Sequence, residues 1–206
     1  MPKFKYIIFD WTGVINDSVD NYLCVVNKMF KELGAEKISL EEMKENYEQP
    51  YMRFYNKYLP NLTIEEEQVA YRKAISECPK GKPYPGVVNI LKEFKKAGIK
   101  MAVLSSDLPE TLQPEIKSFG LEGIFIDVIT DVHDKSEGIY ELIERNNFKK
   151  EETIFIGDSN HEIEEGKSAG VKTGAVTWGF STAKRLRELN PDFLIRNLND
   201  FKLVIL

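Results

Sequence analysis

The chain has 206 residues, 42% hydrophobic and 30% charged, which suits a soluble globular protein with one large core and room for a small insertion. With 28 Lys and Arg against 33 Asp and Glu, the net charge is -5, leaving no basic surplus to displace counterions from a nucleic acid. No apolar stretch approaches the ~20 residues of a membrane-spanning helix, and Cys24 and Cys78 belong to no CxxC or Cys/His cluster. That cysteine usage argues against a disulfide framework or a zinc site and for a reducing, cytoplasmic setting.

In chain order, Tyr6–Phe9 is a continuous β-branched and aromatic run, the pattern of a strand buried on both faces. It ends at Asp10-Trp11-Thr12-Gly13. Val19, Tyr22, Leu23, Val26, Met29, Phe30 and Leu33 then follow helical spacing until Gly34. Ser39 with Glu42, and Thr63 with Glu66, fit capping boxes that open two more helices, and a shorter helix fits 51–58 between Pro50 and Pro60. Residues 79–86, rich in Pro, Lys and Gly, read as a stiff linker.

Beyond the linker, helical stripes alternate with apolar runs. Val88, Leu91 and Phe94 form a stripe closed by Gly98, followed by a strand over Lys100–Leu104 and another over 125–129. A stripe at Ile139, Leu142 and Ile143 precedes a strand over 153–156. The helix over 163–169, closed by Gly170, precedes a strand over 173–176. Alternation of this kind predicts an α/β fold: a Rossmann-like, doubly wound parallel sheet with an all-helical segment inserted after the first strand. The boundaries are residues 1–15 and 85–206 for the core and 16–84 for the insert.

In an open parallel sheet, ligands gather at the carboxyl ends of the strands. Here those ends carry Asp10, then Ser105 and Ser106, then Gly157-Asp158-Ser159 with Glu162 close behind, while Lys135 follows the third strand. Carboxylates, hydroxyls and one ammonium on one edge suit a phosphate held beside a magnesium ion, because magnesium prefers hard oxygen ligands and lysine neutralises phosphate. Each residue also has a plainer reading. Lys135 could be a solvated surface lysine, Ser105 and Ser106 turn residues, and Glu162 a first-turn glutamate complementing a helix dipole. Of the two serines, Ser105 directly follows the apolar run and is favoured.

Asp10-x-Thr12-Gly13-Val14, Ser105, Lys135 and Gly157-Asp158-Ser159-x-x-Glu162, in that order, resemble the four motifs of the haloacid dehalogenase-like hydrolases. Gly166-Lys167-Ser168-Ala169-Gly170 followed by Val176-Thr177-Trp178-Gly179 resembles the phosphoglycolate-phosphatase-like branch of subfamily I, whose members carry a helical cap between motifs I and II. The resemblance implies a magnesium-dependent phosphatase of a small phosphorylated metabolite. Asp10 would be the nucleophile that forms an aspartyl-phosphate. Asp10, Asp158, Glu162 and the Thr12 backbone carbonyl would hold Mg2+, Ser105 and Lys135 would bind the phosphoryl group, and Trp11, Ser106 and Arg53 of the 47–53 loop would contact substrate.

Two positions depart from that pattern. Thr12 stands where the family places a second aspartate that protonates the leaving alcohol and then activates water, and Glu162 stands where an aspartate is usual. Acid–base help typically supplies ~10² to 10⁴-fold, so turnover is expected to fall by that order unless another group substitutes. His161, Asp107 and Glu48 are candidate substitutes, and His133, the other histidine, reads as a surface residue. Two alternatives remain open: a catalytically silent binding or regulatory protein, and a slow-hydrolysing phosphoryl carrier. The sequence specifies no oligomeric state.

Overall fold

The computed structural model of the chain describes residues 2–132 and 134–206. Six strands form one parallel sheet: β1 (Tyr6–Phe9), β4 (Lys100–Leu104), β5 (Asp127–Ile129), β6 (Thr153–Gly157), β7 (Lys172–Val176) and β8 (Phe193–Ile195). Their spatial order is β5-β4-β1-β6-β7-β8, so the sheet grows outward in both directions from β1 and its neighbour β6. The crevice at that reversal of strand order is where open α/β sheets take ligands. Tyr6 pairs in register with Lys100 of β4 and with Thr153 of β6, which sets Asp10 between the ends of those two strands.

The period of two on a strand explains how both faces are covered. Ile7 and Phe9 of β1 face one way, packing with Val87, Leu91 and Phe94 of α5 (Val87–Lys96), Leu112 of α6 (Pro109–Ser118) and Phe201 of α10 (Leu198–Ile205). Ile8 faces the other way, among Ile139 and Leu142 of α7 (Lys135–Asn146) and Ala169 of α8 (Asn160–Ala169). A short α9 (Ala183–Glu188) completes the layers. Sequence reasoning missed α6, α9, α10 and β8. In α6 only Leu112 and Ile116 are buried and Pro114 sits inside the helix, while β8 is three residues at a sheet edge, where partial burial leaves little pattern to read.

Between β1 and α5 lies the helical insert: α1 (Val19–Leu33), α2 (Leu40–Asn46), α3 (Met52–Tyr58) and α4 (Ile64–Ser76). Gly34 ends α1 in the left-handed conformation, Ser39 caps α2 by accepting from the Glu42 N–H, and Thr63 with Glu66 forms a complete capping box on α4. The insert has its own apolar cluster, built on Val25, Met29, Phe30, Met43 and Phe54. The presumed linker is more ordered than its composition suggests: β3 (Lys82–Pro83) pairs antiparallel with β2 (Asn16–Asp17), so entry and exit of the insert are zipped together.

One expectation is overturned. Cys24 on α1 and Cys78 just after α4 form a disulfide, although no spacing pattern announced it. The bond closes a 54-residue separation that contains nearly all of the insert. Closing such a loop restricts the unfolded chain, so a Cys24→Ser/Cys78→Ser variant should lose about 2–4 kcal/mol of stability. Denaturant unfolding with and without dithiothreitol reads this: the reductant should weaken the native chain to the level of the variant and leave the variant unchanged. Among the described residues, no helix is long and apolar enough to cross a membrane.

Candidate active site

Asp10 follows the last residue of β1, and its backbone N–H continues the ladder to the Ile156 carbonyl (2.9 Å). The chain then turns tightly: the Trp11 carbonyl accepts from the N–H groups of Ile15 (2.9 Å) and Asn16 (3.0 Å). Gly13 enables the turn with φ +84°, and a Cβ there would land on the Asp158 carboxylate. Lys135, the first residue of α7, reaches across the strand ends. Its Nζ donates to Asp10 Oδ1 at 2.6 Å and to the Leu104 carbonyl at 2.8 Å, with both charged side chains buried.

Asp158 follows β6 and Glu162 lies in the first turn of α8. One oxygen from each of Asp10, Asp158 and Glu162 lies within 4.8 Å of the others. Glu162 also acts as the plainer reading had it, accepting from the Ser159 N–H at 2.9 Å and from its hydroxyl, so one carboxylate oxygen caps α8. Asp158 Oδ2 accepts from the Phe180 N–H at 2.6 Å. Burial pushes the Asp158 carboxyl well above the usual carboxylate range, and Glu162 and Asp10 push it further. Burial likewise raises Asp10, against the pull of Lys135. Burial disfavours the Lys135 ammonium too, but Asp10 and Glu162 outweigh that and hold its pKa above the usual lysine value. Three buried carboxylates thus share one ammonium. A hard divalent cation fits this donor set, because it offsets the repulsion that burial amplifies.

Ser105 follows β4, its N–H bonded to the Ile129 carbonyl at 3.0 Å. The Thr12 hydroxyl donates to Asp107 Oδ2 at 2.7 Å, and the Ser105 hydroxyl donates to the same oxygen at 3.0 Å. Asp107 therefore ties the loop after β1 to the loop after β4, a pairing that no local sequence signal announces.

A cavity of about 480 Å³ opens over these groups, walled on one side by Asp10, Thr12, Ser105, Ser106, Asp107, Asp158 and Glu162. Its other wall comes from the insert, with Tyr22, Tyr51, Tyr55, Glu67, Tyr71 and Arg72 among its residues. Phe180, from the loop after β7, joins the two: its ring packs 5.3 Å from Tyr22 and 4.8 Å from Tyr47. Arg185 of α9 fastens the end of α2 by donating to the carbonyls of Lys44 (3.1 Å) and Tyr47 (2.6 Å).

Several expected residues lie elsewhere. Trp11 points away from Asp10, fully buried, stacked on Phe119 at 5.5 Å, with its Nε1–H donated to Glu115 at 2.7 Å. Adjacent residues at a strand end alternate sides, so the neighbour of Asp10 is a core residue and does not line the cavity. Arg53 is exposed beside Glu48, which pairs more closely with Lys57 at 2.9 Å, and neither Arg53 nor Glu48 lines the cavity. His161 faces Glu165 at 3.9 Å, outside the cavity lining, and His133 lies outside the described residues. Arg72 lines the cavity where Arg53 was expected.

Glu67 went unnoticed in the sequence, although a signal exists: it shares the buried face of α4 with Ala70 and Ala74, a carboxylate within a stripe of small residues. Burial raises its pKa to about 7, with Arg72 opposing. Since the folded value lies above the ordinary one, the contribution of Glu67 to stability is complete below pH ~4.5 and is lost as pH rises through about 7. Urea unfolding of the native chain and of Glu67→Gln at pH 4.5 and pH 8 tests the sign. The stability difference should move in favour of the variant at pH 8.

A family model described as haloacid dehalogenase-like hydrolase matches residues 7–176. The chain is 28% identical over 203 residues to a phosphoglycolate phosphatase of Aquifex aeolicus, covering 95% of this chain and 94% of that protein. It is 33% identical over 123 residues to the pyrophosphatase PpaX of Halalkalibacterium halodurans, a match spanning 57% of this chain and 57% of the length of that relative. Among solved structures, a haloacid dehalogenase-like family hydrolase of Streptococcus pneumoniae superposes with a TM-score of 0.80 at 19% identity, covering 98% of this chain and 97% of that one.

Proposed function

The chain belongs to the haloacid dehalogenase-like hydrolase family, and on that premise we propose a magnesium-dependent phosphatase of a small phosphorylated metabolite, with Asp10 as nucleophile. One observation carries the reading: Asp10, held by buried Lys135 at 2.6 Å, stands beside Asp158 and Glu162 on the wall of a cavity large enough for such a substrate.

Lys135 holds Asp10 Oδ1 and is itself fixed by the Leu104 carbonyl, so the carboxylate meets the phosphorus in one orientation. A carboxylate oxygen of Asp10 bonds to phosphorus as the ester P–O bond breaks, and the departing alkoxide takes a proton from solvent water and leaves as the alcohol. A water then attacks the phosphorus, the P–O bond to Asp10 breaks, and inorganic phosphate leaves while the water's proton returns to solvent and the carboxylate is restored. Ser106 offers its hydroxyl and backbone N–H to the phosphoryl oxygens, and Ser105, whose N–H is held by the Ile129 carbonyl, adds its hydroxyl by turning the proton away from Asp107, while the Lys135 ammonium offsets their charge. Asp10, Asp158, the free oxygen of Glu162 and the Thr12 carbonyl would hold Mg2+, which when bound supplies further charge neutralisation.

The leaving alcohol and the attacking water lack the usual carboxyl partner, because Thr12 cannot titrate near neutrality and its hydroxyl proton is committed to Asp107. Slow turnover is therefore part of the proposal, and it keeps the phosphoryl carrier as the second reading. Phosphate release from a panel of small phosphomonoesters, including p-nitrophenyl phosphate, with magnesium and then with chelator, tests the proposal. Release that depends on magnesium is expected. No release from any member, together with no phosphoryl mass added to the chain, would overturn it.

A further inference from the structure

The two walls of the cavity differ in chemistry. The core wall is suited to a phosphoryl group. The insert wall combines tyrosine rings with a largely buried carboxylate, Glu67. Glu67 is buried and, among the described residues, makes neither a hydrogen bond nor an ion pair. Arg72, on the same helix, is exposed and too far to pair with it. The Tyr55 hydroxyl, fully buried, lies against that of Tyr22 and is not open to the cavity.

Leaving a buried polar group unpaired is costly, and Glu67 lines the cavity, so a molecule bound there is placed to supply its partner. A carboxylate accepts hydrogen bonds and repels anions, and tyrosine rings offer faces to C–H groups or to an ammonium. Above pH about 7 Glu67 is ionised, and solvent screens the exposed Arg72 more than it screens buried Glu67, so at pH 8 the carboxylate sets the sign of this wall.

Resting on the phosphatase reading, we infer that the insert selects the alcohol half of the substrate by its hydrogen-bond donors. The substrate is a phosphomonoester of a polyhydroxylated or amino alcohol, with Glu67 receiving those donors, and a second anionic group at that end is rejected. The inference sets this chain apart from what the names of its relatives suggest, since phosphoglycolate and pyrophosphate each place further negative charge beyond the transferred phosphoryl group.

The test compares four probes at pH 8, where Glu67 is ionised: ribose 5-phosphate, phosphoethanolamine, phosphoglycolate and pyrophosphate. At least one of the first two should exceed both anionic probes by 10-fold or more in kcat/KM, and which one does so distinguishes a polyol from an amine. Glu67→Gln should lower kcat/KM for the preferred probe about 10-fold while raising that for phosphoglycolate. Preference for phosphoglycolate or pyrophosphate in the native chain, or an equal effect of Glu67→Gln on all probes, overturns the inference but leaves the phosphatase reading intact. Should none of the probes nor p-nitrophenyl phosphate be hydrolysed, the phosphatase reading fails separately. Calorimetric binding of the same four probes to the Asp10→Asn chain then decides the inference, with the same order of affinities expected and the reverse order overturning it.

Discussion

Asp10→Asn should remove magnesium-dependent phosphate release, by on the order of 10³-fold or more. The asparagine keeps the shape of the side chain but loses the charge and nucleophilicity of the oxygen that Lys135 holds at 2.6 Å. The substitution also has a structural cost. It leaves a buried ammonium bonded only to the Leu104 carbonyl and to the asparagine oxygen, and breaking a buried pair can cost several kcal/mol. Repulsion from Asp158 and Glu162 falls at the same time, which offsets part of that loss. Thermal unfolding should accompany the rate measurement. A folded, inactive variant assigns the chemistry to Asp10, whereas a folded variant with native turnover excludes Asp10 as nucleophile. Incubation with acetyl phosphate separates the remaining possibilities. A phosphoryl mass that persists on the native chain and is absent from Asp10→Asn marks a carrier, and binding without either signal marks a silent relative.

The second large effect concerns position 12. Restoring the usual acid–base group with Thr12→Asp alone should not accelerate turnover, because the new carboxylate would face Asp107, whose Oδ2 now accepts the Thr12 hydroxyl at 2.7 Å. Two carboxylates at that distance cannot both be ionised, so they would share a proton instead of delivering one to the leaving group. Thr12→Asp/Asp107→Asn reverses the donor and acceptor and keeps the hydrogen bond. The double variant should therefore release phosphate 10-fold or more faster than the native chain, within the ~10² to 10⁴-fold range of acid–base help. Steady-state rates for the native chain, both single variants and the double variant form a double-mutant cycle with strong positive coupling. A single Thr12→Asp substitution that matched the double variant would show that Asp107 does not constrain position 12.

Much of this molecule is legible in its residues. The apolar run of Tyr6–Phe9 ending in a charge, the Ser39 and Thr63 capping boxes, and the Gly34 and Gly170 stops all encode local structure through steric and hydrogen-bonding preferences that need no distant partner. The order of Asp10, Ser105, Lys135 and Asp158 along the chain followed from strand ends, because a parallel sheet places every strand's carboxyl end on one edge.

What the sequence could not supply is whatever depends on two distant segments meeting. Cys24 with Cys78 bond because α1 and α4 pack together, and Thr12 meets Asp107 because β1 and β4 are neighbours. Trp11 illustrates the same limit: adjacent in sequence to Asp10, the proposed nucleophile, it belongs to the core because the strand turns it away. Glu67 and Arg72, remote from every motif, reach the cavity because α4 folds over it. The sequence by itself determined the family and set carboxylates, hydroxyls and an ammonium near one sheet edge, since a parallel sheet brings the carboxyl ends of its strands together. Only the tertiary structure decided the other wall and the partner of Thr12, since both depend on which surfaces of the insert and the core face each other.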